Sequence, residues 1–219
     1  MSSTRIGLVS PMTNAVRTAK AAFRELWPEA ETINLLDESL YADFAGAGGI
    51  TDECYRRIAV LLQYSQDSGA QGIVFTGSVF GRPVEAAREK LSVPVLTAHE
   101  AMIERAFECG SRFGILTTVA GSLRCLVDDI ERYAGQHGLS FTISDHIEDA
   151  ARPVILAGDI DRHDAMVAAA AAKMTDCDCL LLGQFSMDTA AQKIADVPGR
   201  PVLTPPRTAV EKLKRLLSV

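Results

Sequence analysis

The sequence predicts an α/β protein built of two related halves, each a parallel sheet flanked by helices, with any chemistry placed in the cleft between the halves. Three observations carry this expectation. Short apolar runs alternate with longer helical stretches along the whole chain, which is the βαβα pattern of a parallel sheet. Segments of the first hundred or so residues reappear at a fixed offset of 107 residues, the mark of an internal duplication. The composition, 47% hydrophobic and 23% charged with both signs interspersed, is that of an ordinary globular protein. A chain of 219 residues buries well over half of its unfolded surface without staples.

The repeat is carried by separated blocks in one register. Arg5-Ile6-Gly7-Leu8-Val9 returns as Arg112-Phe113-Gly114-Ile115-Leu116, Gly72-Ile73-Val74-Phe75 as Cys179-Leu180-Leu181-Leu182, and Pro94-Val95-Leu96-Thr97 as Pro201-Val202-Leu203-Thr204. Asp52 maps in the same way onto Asp159, each at the start of a candidate helix. Taken in order, strands are expected at 5–10, 31–35, 72–76 and 93–97, then at 112–117, 140–144, 179–183 and 201–204, with helices between them. The alanine-rich stretch from Asp159 to Met174 mixes strong helix formers throughout and reads as one of those helices. The helix after Thr97 leaves the first half and the helix after Thr204 ends the chain, so both are expected to bridge the halves. This places residues 1–98 with 206–219 in the first half and 99–205 in the second. No proline-, glycine- or serine-rich linker separates them, so a long flexible hinge is not expected.

Composition also excludes several classes of partner. The net charge is −6 with no cluster of lysine or arginine, which offers no footprint for a phosphate backbone, so nucleic acid is not an expected partner. The first apolar run, Ile6 to Val9, is too brief for a signal segment or a membrane span, and the expectation is a cytoplasmic protein without a membrane partner. Five cysteines at irregular spacing, Cys54, Cys109, Cys125, Cys177 and Cys179, read as reduced thiols rather than a disulfide framework. The pair Cys177 and Cys179 enters a strand and reads as packing, so no metal site is expected. The run Gly46-Ala47-Gly48-Gly49 matches no phosphate-loop spacing and is expected to form a mobile flap.

In open α/β sheets ligands bind beyond the carboxyl ends of the strands, so the residues after each strand are the candidates. The first strand is followed by Ser10-Pro11-Met12-Thr13-Asn14 and its repeat by Thr117-Thr118-Val119-Ala120-Gly121-Ser122. These hydroxyl-rich turns could cap helices or contact a ligand. The third strand is followed by Thr76-Gly77-Ser78-Val79-Phe80-Gly81 and its repeat by Gly183-Gln184-Phe185-Ser186-Met187, expected to face one another across the cleft. Ser10, Asn14, Ser78, Thr117 and Thr118 are the candidate ligand-binding side chains. Of the histidines, His99 lies at a strand end ahead of Glu100 and either faces the cleft or begins a helix. His137, His146 and His163 fall in polar surroundings and are expected to be solvated.

Several of these pieces, Ser10-Pro11-Met12-Thr13, Phe80-Gly81 with Pro83, Glu100-Ala101, Leu116-Thr117-Thr118 and Leu182-Gly183-Gln184, together resemble the aspartate/glutamate/hydantoin racemase superfamily, nearest its hydantoin and allantoin branch. The resemblance implies two pseudo-symmetric Rossmann-like halves, no cofactor, a dimer or larger homo-oligomer, and proton transfer at the α-carbon of a small carboxylate or cyclic ureide. It also implies one cysteine from each half, on opposite faces of that carbon, since inversion requires delivery from the face opposite removal. Here the sequence departs from the pattern: the two catalytic stations carry Gly77 and Gln184, and neither side chain can exchange a proton with carbon. The arylmalonate decarboxylase branch also has glycine at the first station but keeps the second cysteine. Three readings follow: an isomerase disabled or impaired at both stations, a carbon–carbon lyase, and a non-catalytic binder of a small carboxylate.

Overall fold

The computed structural model describes residues 3–194 and 200–217. The chain divides into two compact units, Met1–Ala98 with Ala209–Val219, and His99–Thr208. The first unit runs β1 (Arg5–Ser10), α1 (Thr13–Leu26), β2 (Glu31–Leu36), α2 (Ser39–Ala47), α3 (Asp52–Asp67), β3 (Gly72–Phe75), α4 (Gly81–Arg88) and β4 (Val95–Leu96). The second runs α5 (Glu100–Cys109), β5 (Arg112–Thr117), α6 (Ala120–His137), β6 (Thr142–Ile147), α7 (Ala151–Leu156), α8 (Ile160–Ala171), β7 (Cys179–Leu182), α9 (Asp188–Ile194) and β8 (Val202–Leu203). The last helix, α10 (Pro205–Leu216), starts in the second unit and ends in the first. Each unit holds a four-stranded, wholly parallel sheet, in the orders β2-β1-β3-β4 and β6-β5-β7-β8.

The duplication is visible in the hydrogen-bond register. Ile6 pairs with Gly72 and Phe113 with Cys179, while Ile73 pairs with Val95 and Leu180 with Val202, so three strands of each sheet obey the 107-residue offset. The fourth does not, because Arg5 pairs with Glu31 but Arg112 with Thr142. The cause lies in the preceding helix: α1 has 14 residues and α6 has 18. The extra residues add about one helical turn and delay β6, which therefore occupies Thr142–Ile147 rather than 140–144. Asp52 and Asp159 also differ in role. Thr51 caps α3, accepting from the Cys54 N–H at 3.3 Å, so Asp52 is merely in its first turn, whereas Asp159 is itself the cap of α8 and accepts from the Arg162 N–H at 3.2 Å.

The central strands β3 and β7 are buried along their whole length, as expected for strands covered on both faces. Alternation along β7 sends Leu180 and Leu182 into one core with Leu116, Val167 and Met187, and Cys179 and Leu181 into the other with Phe113, Ile115 and Ile130. Close approach of a helix to a strand requires glycine at Gly7, where a Cβ would lie 2.0 Å from Ser65 Oγ. All five cysteines are free. Burial, with Cys109 and Cys177 beside it, pushes the Cys179 thiol up to about 12, which makes it inert as a nucleophile. Among the described residues no group of three or more His, Cys, Asp or Glu could hold a metal ion, and no helix is long and apolar enough to cross a membrane.

Two expectations are corrected. His163 is not solvated: it is 0% exposed, its Nδ1 lies 2.8 Å from Asp164 Oδ1, and that same oxygen accepts from Thr189 Oγ1. A polar stretch of helix can still turn one residue inward. His137 and His146 are exposed as expected. The run Gly46-Ala47-Gly48-Gly49 is the last turn of α2 and its cap rather than a flap, with Gly48 at φ 71° and the Gly49 N–H bonded to Phe44 O.

The start of β5 is tied to the segment before β7 by Asp178. One of its oxygens accepts the Ser111 and Arg112 N–H groups at 2.9 Å each, and the other accepts from the Arg112 guanidinium at 2.8 and 3.0 Å. These bonds, the guanidinium's first, lower the Asp178 carboxyl from 3.8 to about 2. A carboxyl depressed on folding stabilises above its unfolded value, and the gain disappears as pH falls through the folded value. Thermal melts should therefore show Asp178→Ala less stable than the parent at pH 5 and above, with the difference shrinking from about pH 4 and gone only below about pH 2.

Candidate active site

In the first unit the site residues gather at the carboxyl ends of β1 and β3. The register that pairs Val9 with Phe75 continues one step further, through the Thr76 N–H donating to Val9 O at 3.0 Å. Ser10 thus stands alongside Thr76 on adjacent strands, about 4.8 Å apart in backbone spacing. Both residues are buried, at 1% and 5% exposure, and neither Ser10 Oγ nor Thr76 Oγ1 has a hydrogen-bond partner among the described residues. An orphaned buried hydroxyl costs about 1–3 kcal/mol, so two on neighbouring strand ends call for an explanation.

Gly77 follows, extended at φ −90° and ψ 108°, and leads into a 3-10 turn over Ser78–Phe80. Its conformation does not demand glycine; its surroundings do. A Cβ there would lie 2.8 Å from Phe75 Cε1, 2.8 Å from Pro11 Cγ and 2.9 Å from Phe80 Cδ2. Phe80 is held edge-on to Phe75 and Phe44 and tilted against Tyr41, with ring centroids 5.3–5.9 Å apart. Ser78 is half-buried in this turn, and Asn14 is half-buried in the first turn of α1. Neither hydroxyl-rich turn caps its helix: the cap positions are Met12 and Val119, without side-chain bonds.

The second unit repeats the backbone with different chemistry. The counterpart of Thr76 is Gly183, where a Cβ would meet Thr117 Cγ2 at 2.8 Å. Gln184 occupies the station itself, and its Oε1 accepts from the Thr118 N–H at 2.7 Å and from Thr118 Oγ1 at 2.9 Å. Thr117 Oγ1 reaches Val119 O at 3.4 Å. Hence Thr117, Thr118 and Gln184 are brought together, but as a self-satisfied cluster rather than a set of open donors.

His99 both begins α5 and reaches this cluster. It is 1% exposed, with Nδ1 3.0 Å from Asp129 Oδ2 and Nε2 3.3 Å from the Gly183 carbonyl oxygen. Asp129 also accepts from Arg132 at 2.6 Å. Each ring nitrogen lies against an acceptor oxygen, Asp129 Oδ2 and Gly183 O, so neither is turned to open space. The Gly183 N–H is held as well, donating to Leu116 O at 2.9 Å.

Sequence reasoning missed Thr76 as a candidate in its own right. The signal available was its position, since the residue after a parallel strand lies where ligands bind.

The profile of the Asp/Glu/hydantoin racemase family matches residues 6–213. The chain belongs to the Asp/Glu/hydantoin racemase family. No curated protein sequence matches it significantly. Among solved structures, allantoin racemase from Klebsiella pneumoniae is 22% identical with a TM-score of 0.67, over 99% of this chain and 88% of that one. Glutamate racemase from Thermus thermophilus is 19% identical with a TM-score of 0.69, over 99% and 81%. A glycine-to-cysteine mutant of arylmalonate decarboxylase, in a sulfate-associated form, is 18% identical with a TM-score of 0.64, over 98% and 93%. At these identities the likeness to each is one of fold.

Proposed function

We propose that this member of the racemase family binds a small α-substituted carboxylate or a cyclic ureide at the carboxyl end of its first sheet, and does so without two-thiol proton exchange. The observation that supports this reading is the pair of orphaned hydroxyls, Ser10 Oγ and Thr76 Oγ1, buried beside Gly77. A ligand carboxylate or ureide carbonyl is the partner that two such donors lack, and a charge-assisted bond away from water is about twice as strong as a neutral one. Ser78 adds a more accessible hydroxyl in the same turn, and Asn14 a neighbouring amide. The reading uses no cofactor, and the protein works as a cytoplasmic homo-oligomer, as the family resemblance implies.

Chemistry on such a ligand would have to come from elsewhere than the two stations. Gly77 has nothing to titrate, and a glutamine amide is no base in water. A second reading is a carbon–carbon lyase, favoured by one observation: Gly77 flanked by hydroxyls matches a branch in which glycine replaces the first thiol. Gln184 opposes it, because the carbanion left by loss of carbon dioxide must be protonated.

Proton NMR in deuterated water, with amino acids, hydantoins and arylmalonates in turn, tests the proposal. Saturation transfer to at least one ligand class is expected, with its α-proton retained and no carbon dioxide released. Loss of the α-proton or release of carbon dioxide would move the protein to the isomerase or lyase reading. Absence of saturation transfer from every class would overturn the binding reading.

A further inference from the structure

The strand that borders Ser10 on the side away from Thr76 ends in different chemistry. Ser10 pairs with Leu36 of β2, and the ladder runs one step further through the Asp37 N–H donating to Ser10 O at 3.0 Å. Partners in a parallel register point to one face of the sheet. Val9, Leu35 and Phe75, one step earlier, all pack into the core on one side, so Leu36, Ser10 and Thr76 form a row on the other. Two members of that row are the orphaned hydroxyls, and the third is a leucine left exposed on the edge strand. Met12, two residues beyond Ser10 and extended at φ −150° and ψ 136°, is a second exposed apolar side chain. The loops that carry the two are bonded to each other, through Asp37 and Ser10 and again through Thr13 Oγ1, which donates to Glu38 Oε1 at 2.9 Å. The acids of the second loop are engaged, Glu38 by Thr13 and Asp37 by Ser39 and Arg57. An exposed leucine or methionine standing singly is ordinary. Two on loops tied together, at the border of a pair of orphaned donors, make a hydrocarbon surface continuous with a polar site.

We infer that Leu36 and Met12 are specificity-determining residues: they receive the substituent of a ligand anchored on Ser10 and Thr76, and so select an apolar substituent over a polar one. This deepens the binding reading above and rests on it for the anchoring group. With the carboxylate held by the two hydroxyls, a substituent directed along the row toward β2 meets Leu36 first. Each methylene that it removes from water there strengthens binding. A hydroxyl in the same place gives up its hydration against hydrocarbon and gains nothing in return.

Titrations with propionate, isovalerate and β-hydroxybutyrate, followed by amide NMR, test the inference on the full chain and on Leu36→Ser and Met12→Ser. Isovalerate and β-hydroxybutyrate differ only by a methyl for a hydroxyl. In the parent, isovalerate should shift the Leu36 and Met12 amides together with those of Ser10 and Thr76. It should bind about tenfold more tightly than propionate, the worth of two further buried carbons, whereas β-hydroxybutyrate should gain little. Each serine variant should give up about threefold or more of the isovalerate gain and bind propionate as the parent does. Both side chains are exposed, so neither variant is expected to unfold the chain. Isovalerate no tighter than propionate in the parent, a gain matched by β-hydroxybutyrate, or a gain that survives intact in both variants overturns the inference. Failure of the binding reading would show separately, as Ser10 and Thr76 amides unmoved by all three acids. Shifts of those amides by propionate without the isovalerate gain would sink the present inference alone.

Discussion

Gly77→Cys is expected to lower stability by about 1–3 kcal/mol, the usual cost of forcing extra atoms into a packed core, and to yield no racemase. The first atom of the new side chain, not the thiol, is the obstacle, because Cβ would fall within 2.9 Å of three ring carbons. Those rings cannot swing aside cheaply. Phe75 and Phe80 are both 0% exposed, and Phe80 is in contact with Tyr41, Phe44 and Phe75 at once. Gly77→Ala should therefore cost nearly as much as Gly77→Cys in urea melts. A cysteine variant as stable as the parent, or one that exchanges an α-proton, would show that the aromatic cage yields to a side chain at this position.

Thr76→Val should act in the opposite direction on stability. It removes a buried hydroxyl that has no partner while keeping the branched side chain that suits a strand end, so a gain of about 1 kcal/mol is expected. The same substitution should weaken a bound carboxylate by about tenfold, the worth of one charge-assisted hydrogen bond. Ser10→Ala should lose binding similarly with a smaller gain in stability, because it leaves a small void. Urea melts and ligand titrations on the same preparations read both quantities. Greater stability with weaker binding is the pattern of a residue kept for function at the expense of folding. Unchanged binding with greater stability would make Thr76 an unexplained defect in the core.

Most of this architecture could be read from the sequence because the repeat and the apolar runs both report backbone geometry. The one strand out of place, β6, is displaced by a longer α6, and helix length is poorly marked where Gly135, Gln136 and His137 continue a helix to Gly138. The burial of His163 is not legible in the sequence, because its neighbours in the chain are polar and it is set by α9 packing on α8 through Thr189 and Asp164. The places of Gly77 and Gln184, just past the ends of β3 and β7, were legible. Their opposite states were not: whether a hydroxyl is orphaned, or held by a glutamine 66 residues away, is decided by tertiary contact alone. For His99 the sequence offers a place facing the cleft or the start of a helix, and the structure has it begin α5 with Nε2 3.3 Å from Gly183 O.

The central claim is that carboxylate recognition belongs to Ser10 and Thr76, and amide NMR during a propionate titration tests it most directly, on the parent and on a Ser10→Ala, Thr76→Val double variant. The account predicts saturable shifts of the Ser10 and Thr76 amides and of the Gly77 amide between the two loops, lost in the double variant, with Thr118 unmoved. Saturable shifts confined to Thr117, Thr118 and Gln184, surviving in the double variant, would contradict it.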